Sequence, residues 1–161
     1  MPPLNPVESD PLLVPAPVVR MPDGREMLLY DWMRDASGDV GRLSQEITAA
    51  VYERLSEDAL VRSYFPFGGD NEHLAELRRH FARMLLDLAR DGLRQSAADH
   101  LAISHANIRN AQGEPITGVA YDTVADHVAA VLLAAQVQDT PECIGRLGAM
   151  LKLARPLLVR G

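Results

Sequence analysis

The run Leu101-Ala-Ile-Ser-His105 ends on an imidazole beside apolar residues, and the segments around it carry helical periodicity, so apolar helix faces could close over the ring. A neutral imidazole on a helix face suits two chemistries. One is metal ligation through a ring nitrogen, with axial ligation of a haem iron as the case that an apolar cage favours, because the cage keeps water away. The other is proton transfer, which needs a carboxylate within reach, and no Asp or Glu stands three or four residues from His105. A histidine beside apolar residues can equally be a hydrogen-bonded core or rim residue, so the rest of the chain must decide.

The elements that would position this histidine read as helices. Leu43, Ile47, Val51 and Leu55 recur every four residues, with Tyr52 beside them, and Ser56-Glu-Asp58 ends or bends that helix. Tyr64-Phe-Pro-Phe-Gly-Gly69 is an aromatic corner, because its proline and paired glycines forbid regular helix. Asp70-Asn71 then offers N-cap chemistry to a long helix with His73, Leu77, Phe81 and Leu85 on one face, closed by Gly92. His100 and His105 share a shorter helical run, followed by the polar loop Arg109 to Pro115. The next helix opens at Thr117 or Gly118 with Tyr121, Val124, Val128, Val131 and Leu132 as its apolar face. A last helix starts at Thr140-Pro-Glu142, with Pro156 expected to kink or end it. Upstream, Glu26 to Met33 reads as a short helix. No alternating strand pattern and no long repeat is present, so the expected fold is all-α.

Composition narrows the function classes. The 161 residues, 47% of them hydrophobic, suffice for one core. A net charge of -6 argues against nucleic acid and acidic lipid as partners, both of which need clustered cations. Cys143 is the single cysteine, so neither an intrachain disulfide nor a paired-cysteine zinc site can form, which suits a cytoplasmic setting. Pro2, Pro3, Pro6, Pro11, Pro15, Pro17 and Pro22 crowd the N-terminus, giving an expected flexible tail over residues 1–25 ahead of one helical domain over 26–161. The apolar part of that tail lacks the basic start of a secretory signal, and no stretch approaches a membrane span.

Taken in order, Val51-Tyr-Glu-Arg-Leu-Ser-Glu-Asp58, Tyr64-Phe65-Pro66, Phe81, Leu101-Ala-Ile-Ser-His105 and Ile116-Thr-Gly-Val-Ala-Tyr-Asp-Thr-Val-Ala-Asp-His-Val128 resemble the truncated haemoglobins, nearest to the first of their groups, over roughly Asp31 to Leu158. The resemblance implies a two-over-two helical sandwich, here with an N-terminal extension, that binds haem b (iron protoporphyrin IX) and takes dioxygen, nitric oxide and carbon monoxide as ligands. It implies His105 as the iron ligand and Tyr52 as the distal hydroxyl donor. Phe65 then packs on the haem at the corner, His73 and Leu77 face the iron, Phe81 and Leu101 line the pocket, and Tyr121 and Val124 lie behind the haem. Nitric oxide dioxygenation is open to such a protein, given an electron-donating reductase. The chain departs from the family pattern at Ser37-Gly38 and Gly41, where paired glycines are usual, at Leu77, where many relatives have glutamine, at Glu76, where a basic residue is common, and in the longer loop Arg109 to Pro115. Two alternatives stand beside this reading. If His73 reaches the iron, the protein is a six-coordinate redox or sensor protein; if no haem binds, it is a helical interaction module.

Overall fold

The computed structural model describes residues 10–68, 71–135 and 140–160. Six helices dominate the described residues: α1 (Leu29–Ser37), α2 (Val40–Glu57), α3 (Asn71–Asp91), α4 (Gln95–His105), α5 (Gly118–Ala134) and α6 (Thr140–Leu158). Four short strands accompany them: β1 (Leu12–Val14), β2 (Val18–Arg20), β3 (Glu26–Leu28) and β4 (Leu93–Arg94). The all-α expectation therefore holds in its main part and is corrected at these strands. The segment Glu26 to Met33 splits, its first three residues pairing with β2 in antiparallel register and helix beginning only at Leu29.

Local sequence chemistry sets the helix limits. Asp39 caps α2 by accepting the Arg42 N–H at 3.1 Å, and Thr117 caps α5 by accepting the Ala120 N–H at 3.1 Å. The expected cap of α3 at Asp70 lies outside the described residues. Pro156 neither ends nor visibly breaks α6, which continues to Leu158.

Helix α2 packs along α3 and also crosses α5, α5 packs along α6, and α4 rests on α6. Ser44 and Thr48 let α2 approach α3 closely. The Ser44 hydroxyl donates to the Ala82 carbonyl at 2.7 Å and Thr48 donates back to the Ser44 carbonyl, so both buried hydroxyls are satisfied. Val51, Leu55, Leu85, Ala89 and Leu132 fill the centre.

The N-terminal segment corrects the flexible-tail expectation from Asp10 onward; residues 1–9 lie outside the described part. Strand β1 pairs antiparallel with β4, and Val14 and Val19 are 5% and 0% exposed, with Pro17 buried between them. Prolines here exclude helix but not docking, because these strands are short edge pairings that leave Pro11, Pro15 and Pro17 outside the ladder. The strap also caps the histidine-bearing helix. Residue Arg94 supplies no side-chain cap to α4, and Asp10 does so instead, accepting the Ser96 N–H at 2.8 Å and the Ser96 hydroxyl at 2.7 Å. No described helix is long and apolar enough to cross a membrane.

Candidate functional site

Tyr52 lies on the buried face of α2, one residue beyond Val51, and is 7% exposed. Three phenylalanine rings meet it nearly edge-on: Phe65 at 5.5 Å between centroids, Phe81 at 5.9 Å and Phe67 at 6.3 Å. Phe65 and Phe67 come from the aromatic corner, which leaves α2 through a 3-10 turn at Arg62–Tyr64. The third ring of that corner turns away, and the Tyr64 hydroxyl donates to the Pro115 carbonyl at 2.7 Å, fastening the corner to the loop before α5. Each such edge-to-face contact adds about 0.5 to 1.5 kcal/mol to the burial itself.

The Tyr52 hydroxyl makes no hydrogen bond to any described residue. Burial pushes this phenol up to about 12, opposed in part by the nearby Arg78 guanidinium. Tyr52 is therefore a neutral donor at any physiological pH, with no acceptor for its proton among the described residues. Leaving such a hydroxyl dry and unsatisfied costs about 1 to 3 kcal/mol.

His105 closes α4. Its Nδ1–H donates to the Leu101 carbonyl oxygen at 2.9 Å, with the Ser104 hydroxyl 3.0 Å from the same nitrogen. A carbonyl can only accept, so the neutral ring carries its proton on Nδ1 and keeps the lone pair on Nε2. Burial lowers the pKa of His105, outweighing the bond to Leu101, and His100 lowers it further. Both effects favour the neutral imidazole that metal ligation requires.

The remaining expected residues fall in several places. Phe65 and Phe81 join Tyr52, and Val124 packs against the same core. Leu101 is half-buried and holds the His105 ring through its carbonyl. Leu77 is half-buried, while His73 is exposed on α3. The Tyr121 hydroxyl donates to the Leu151 carbonyl at 2.7 Å, so this ring faces α6, and burial raises its phenol to about 12. The stripe of α3 turned to Tyr52 runs through Leu74, Arg78 and Phe81 rather than through His73 and Leu77. Phe67, Leu74 and Arg78 are not among the pocket residues that the resemblance implies. The spacing 74, 78, 81, 85 is as helical as 73, 77, 81, 85, so periodicity alone does not separate them.

Two cavities lie elsewhere. A mostly apolar groove of about 300 Å³ runs between α5 and α6, and a polar one of about 380 Å³ opens between residues 59–64 and the segment 110–120. Neither has Tyr52 or His105 in its walls. Comparison with protein-family models, with curated proteins and with solved structures returns no match for this chain.

Proposed function

We propose that this chain is a haem protein of the truncated-haemoglobin kind that binds diatomic gases, with His105 as the iron ligand and Tyr52 as the hydrogen-bond donor to the gas. The observation that carries the reading is the buried, unsatisfied Tyr52 hydroxyl inside a cage of phenylalanines, which suits an acceptor that arrives from outside the chain. The pairing of α2 with α3 and of α5 with α6, bridged by α2 on α5, agrees with a two-over-two sandwich.

Haem fits the donor set better than a bare ion does. Among the described residues no three His, Cys, Asp or Glu side chains converge, whereas a haem iron asks the protein for a single axial imidazole. When bound, haem b supplies the iron and the gas-binding chemistry, and the chain supplies the surroundings. His105 offers Nε2 while Leu101 holds the opposite nitrogen, which fixes both tautomer and ring orientation. Phe65, Phe67 and Phe81 keep water from the Tyr52 hydroxyl, so its hydrogen bond to a partially negative acceptor is strengthened. The six-coordinate alternative draws less support, because His73 is exposed on α3 while Leu74 and Phe81 pack inward.

Titration of the purified protein with haem, followed by absorption in the ferric form, after dithionite and after carbon monoxide, tests the reading. A stoichiometric Soret band that shifts with carbon monoxide is expected, and a ferrous spectrum that is six-coordinate before the gas would move the assignment to His73. A protein that leaves haem free overturns the reading in favour of a haem-free helical module.

A further inference from the structure

The groove between α5 and α6 has a floor of small and aliphatic residues, Ala125, Val128 and Ala129 from one helix and Ile144, Gly148 and Leu151 from the other. Its rim separates charge by helix. The acids Asp122 and Asp126 line the α5 side, and the bases Lys152 and Arg155 line the α6 side. Arg155 bonds Asp122 within the chain at 2.9 Å. Asp126 and Lys152 are exposed and have no charged partner among the described residues, and Lys152 is the single lysine of a chain with 16 Lys and Arg.

We propose that this groove is the contact face for a second copy of the chain, held by reciprocal Asp126–Lys152 ion pairs. The two helices run antiparallel, since Arg160, just past the end of α6, donates to the Ile116 carbonyl ahead of α5, while Tyr121, further along α5, meets Leu151, further back on α6. One turn beyond Asp122, Asp126 is therefore level with the turn of α6 that carries Lys152. A two-fold axis running along the groove lays each α5 over the partner's α6 at the same level. Asp126 then faces the partner's Lys152, and the symmetry makes that contact twice. The apolar floors meet between the two ion pairs. A fatty anion suits the groove less well, because it would lie against two carboxylates as well as the lysine. The inference rests on α5 and α6 alone and stands whether or not the chain binds haem.

Sedimentation velocity of the full chain over a concentration series, with far-UV circular dichroism as the check on folding, decides the matter. Wild type is expected to show a monomer–dimer equilibrium. Asp126→Lys or Lys152→Glu alone places like charges together twice and should weaken association by about tenfold or more. The double variant Asp126→Lys/Lys152→Glu restores opposite charges and should recover association. A monomer at every concentration, a dimer indifferent to the single substitutions, or a double variant without recovery overturns the proposal. So does a monomer whose native mass spectrum carries a fatty-acid adduct that Lys152→Glu removes.

Discussion

Nδ1 of His105 lies 2.9 Å from the carbonyl oxygen of Leu101, one helical turn earlier, and this bond decides which ring nitrogen is available. The proton sits on Nδ1, so Nε2 is the nitrogen that can meet a metal. His105→Ala is expected to lose haem retention while keeping its helical circular dichroism, because the half-buried ring contributes one local hydrogen bond to the fold. Unchanged haem binding by this variant would remove His105 from the site.

Tyr52→Phe separates a functional hydroxyl from a structural one by sign. Removing a buried donor that bonds no described residue should stabilise the haem-free protein by about 1 to 3 kcal/mol, the cost of leaving it dry. The same change should accelerate oxygen release from the haem-loaded protein by about one to two decades, for the loss of one hydrogen bond in a dry pocket. Urea unfolding followed by Trp32 fluorescence gives the first quantity and stopped-flow absorption the second. A loss of stability in the haem-free variant would mean that the hydroxyl serves the fold.

Much of this architecture was legible in the chain. The four-residue stripe Leu43, Ile47, Val51, Leu55 and the cap at Thr117 announce α2 and α5, because helical periodicity and capping are local properties. The N-terminal strap was not legible. Its proline content reads as disorder, and its docking depends on β4 and Ser96, more than eighty residues away. The α3 register is ambiguous for a different reason: two faces one residue apart both carry helical spacing, and only the packing of Leu74 on the core and the nearness of Arg78 to Tyr52 select between them. Tyr121 illustrates the same limit, since whether its hydroxyl turns to α4 or to Leu151 on α6 is settled by tertiary packing.

Gly92 tests the strap. It ends α3 with φ +74°, and a Cβ there would run into the Val14 carbonyl and the backbone of Pro15 and Ala16. Gly92→Ala should cost about 1 to 2 kcal/mol for the left-handed backbone alone, and more because β1 must lift away. Gly92→Asn discriminates the two causes. Asparagine tolerates the left-handed conformation but retains a Cβ, so a loss close to that of alanine identifies the strap contact as the larger cost. Hydrogen exchange should then quicken at the start of α4, where Asp10 caps Ser96. An Asn variant as stable as wild type would show that the strap yields freely.

The end of α2 is tied to α5 by a clamp whose pH dependence has a definite sign. The Arg54 Nε–H donates to Nδ1 of His127 at 3.1 Å, and since arginine only donates, His127 keeps its proton on Nε2 and gives it to Asp58 at 2.7 Å. Asp58 also accepts the Leu60 N–H at 2.9 Å. The bond from His127, and after it the bond from Leu60, hold the Asp58 carboxyl below its ordinary 3.8. A depressed carboxylate contributes stability that is present above 3.8 and is lost as pH falls through the lower folded value. Asp58→Asn should thus cost about 1 kcal/mol at neutral pH, the worth of one hydrogen bond to a partly exposed charge. The difference from wild type should shrink on acidification below 3.8, as wild type loses the same contribution by protonation. Urea unfolding across this range measures it directly. A difference that widens on acidification would mean that Asp58 is bound more tightly when protonated, and would assign the clamp's proton to Asp58 rather than to His127.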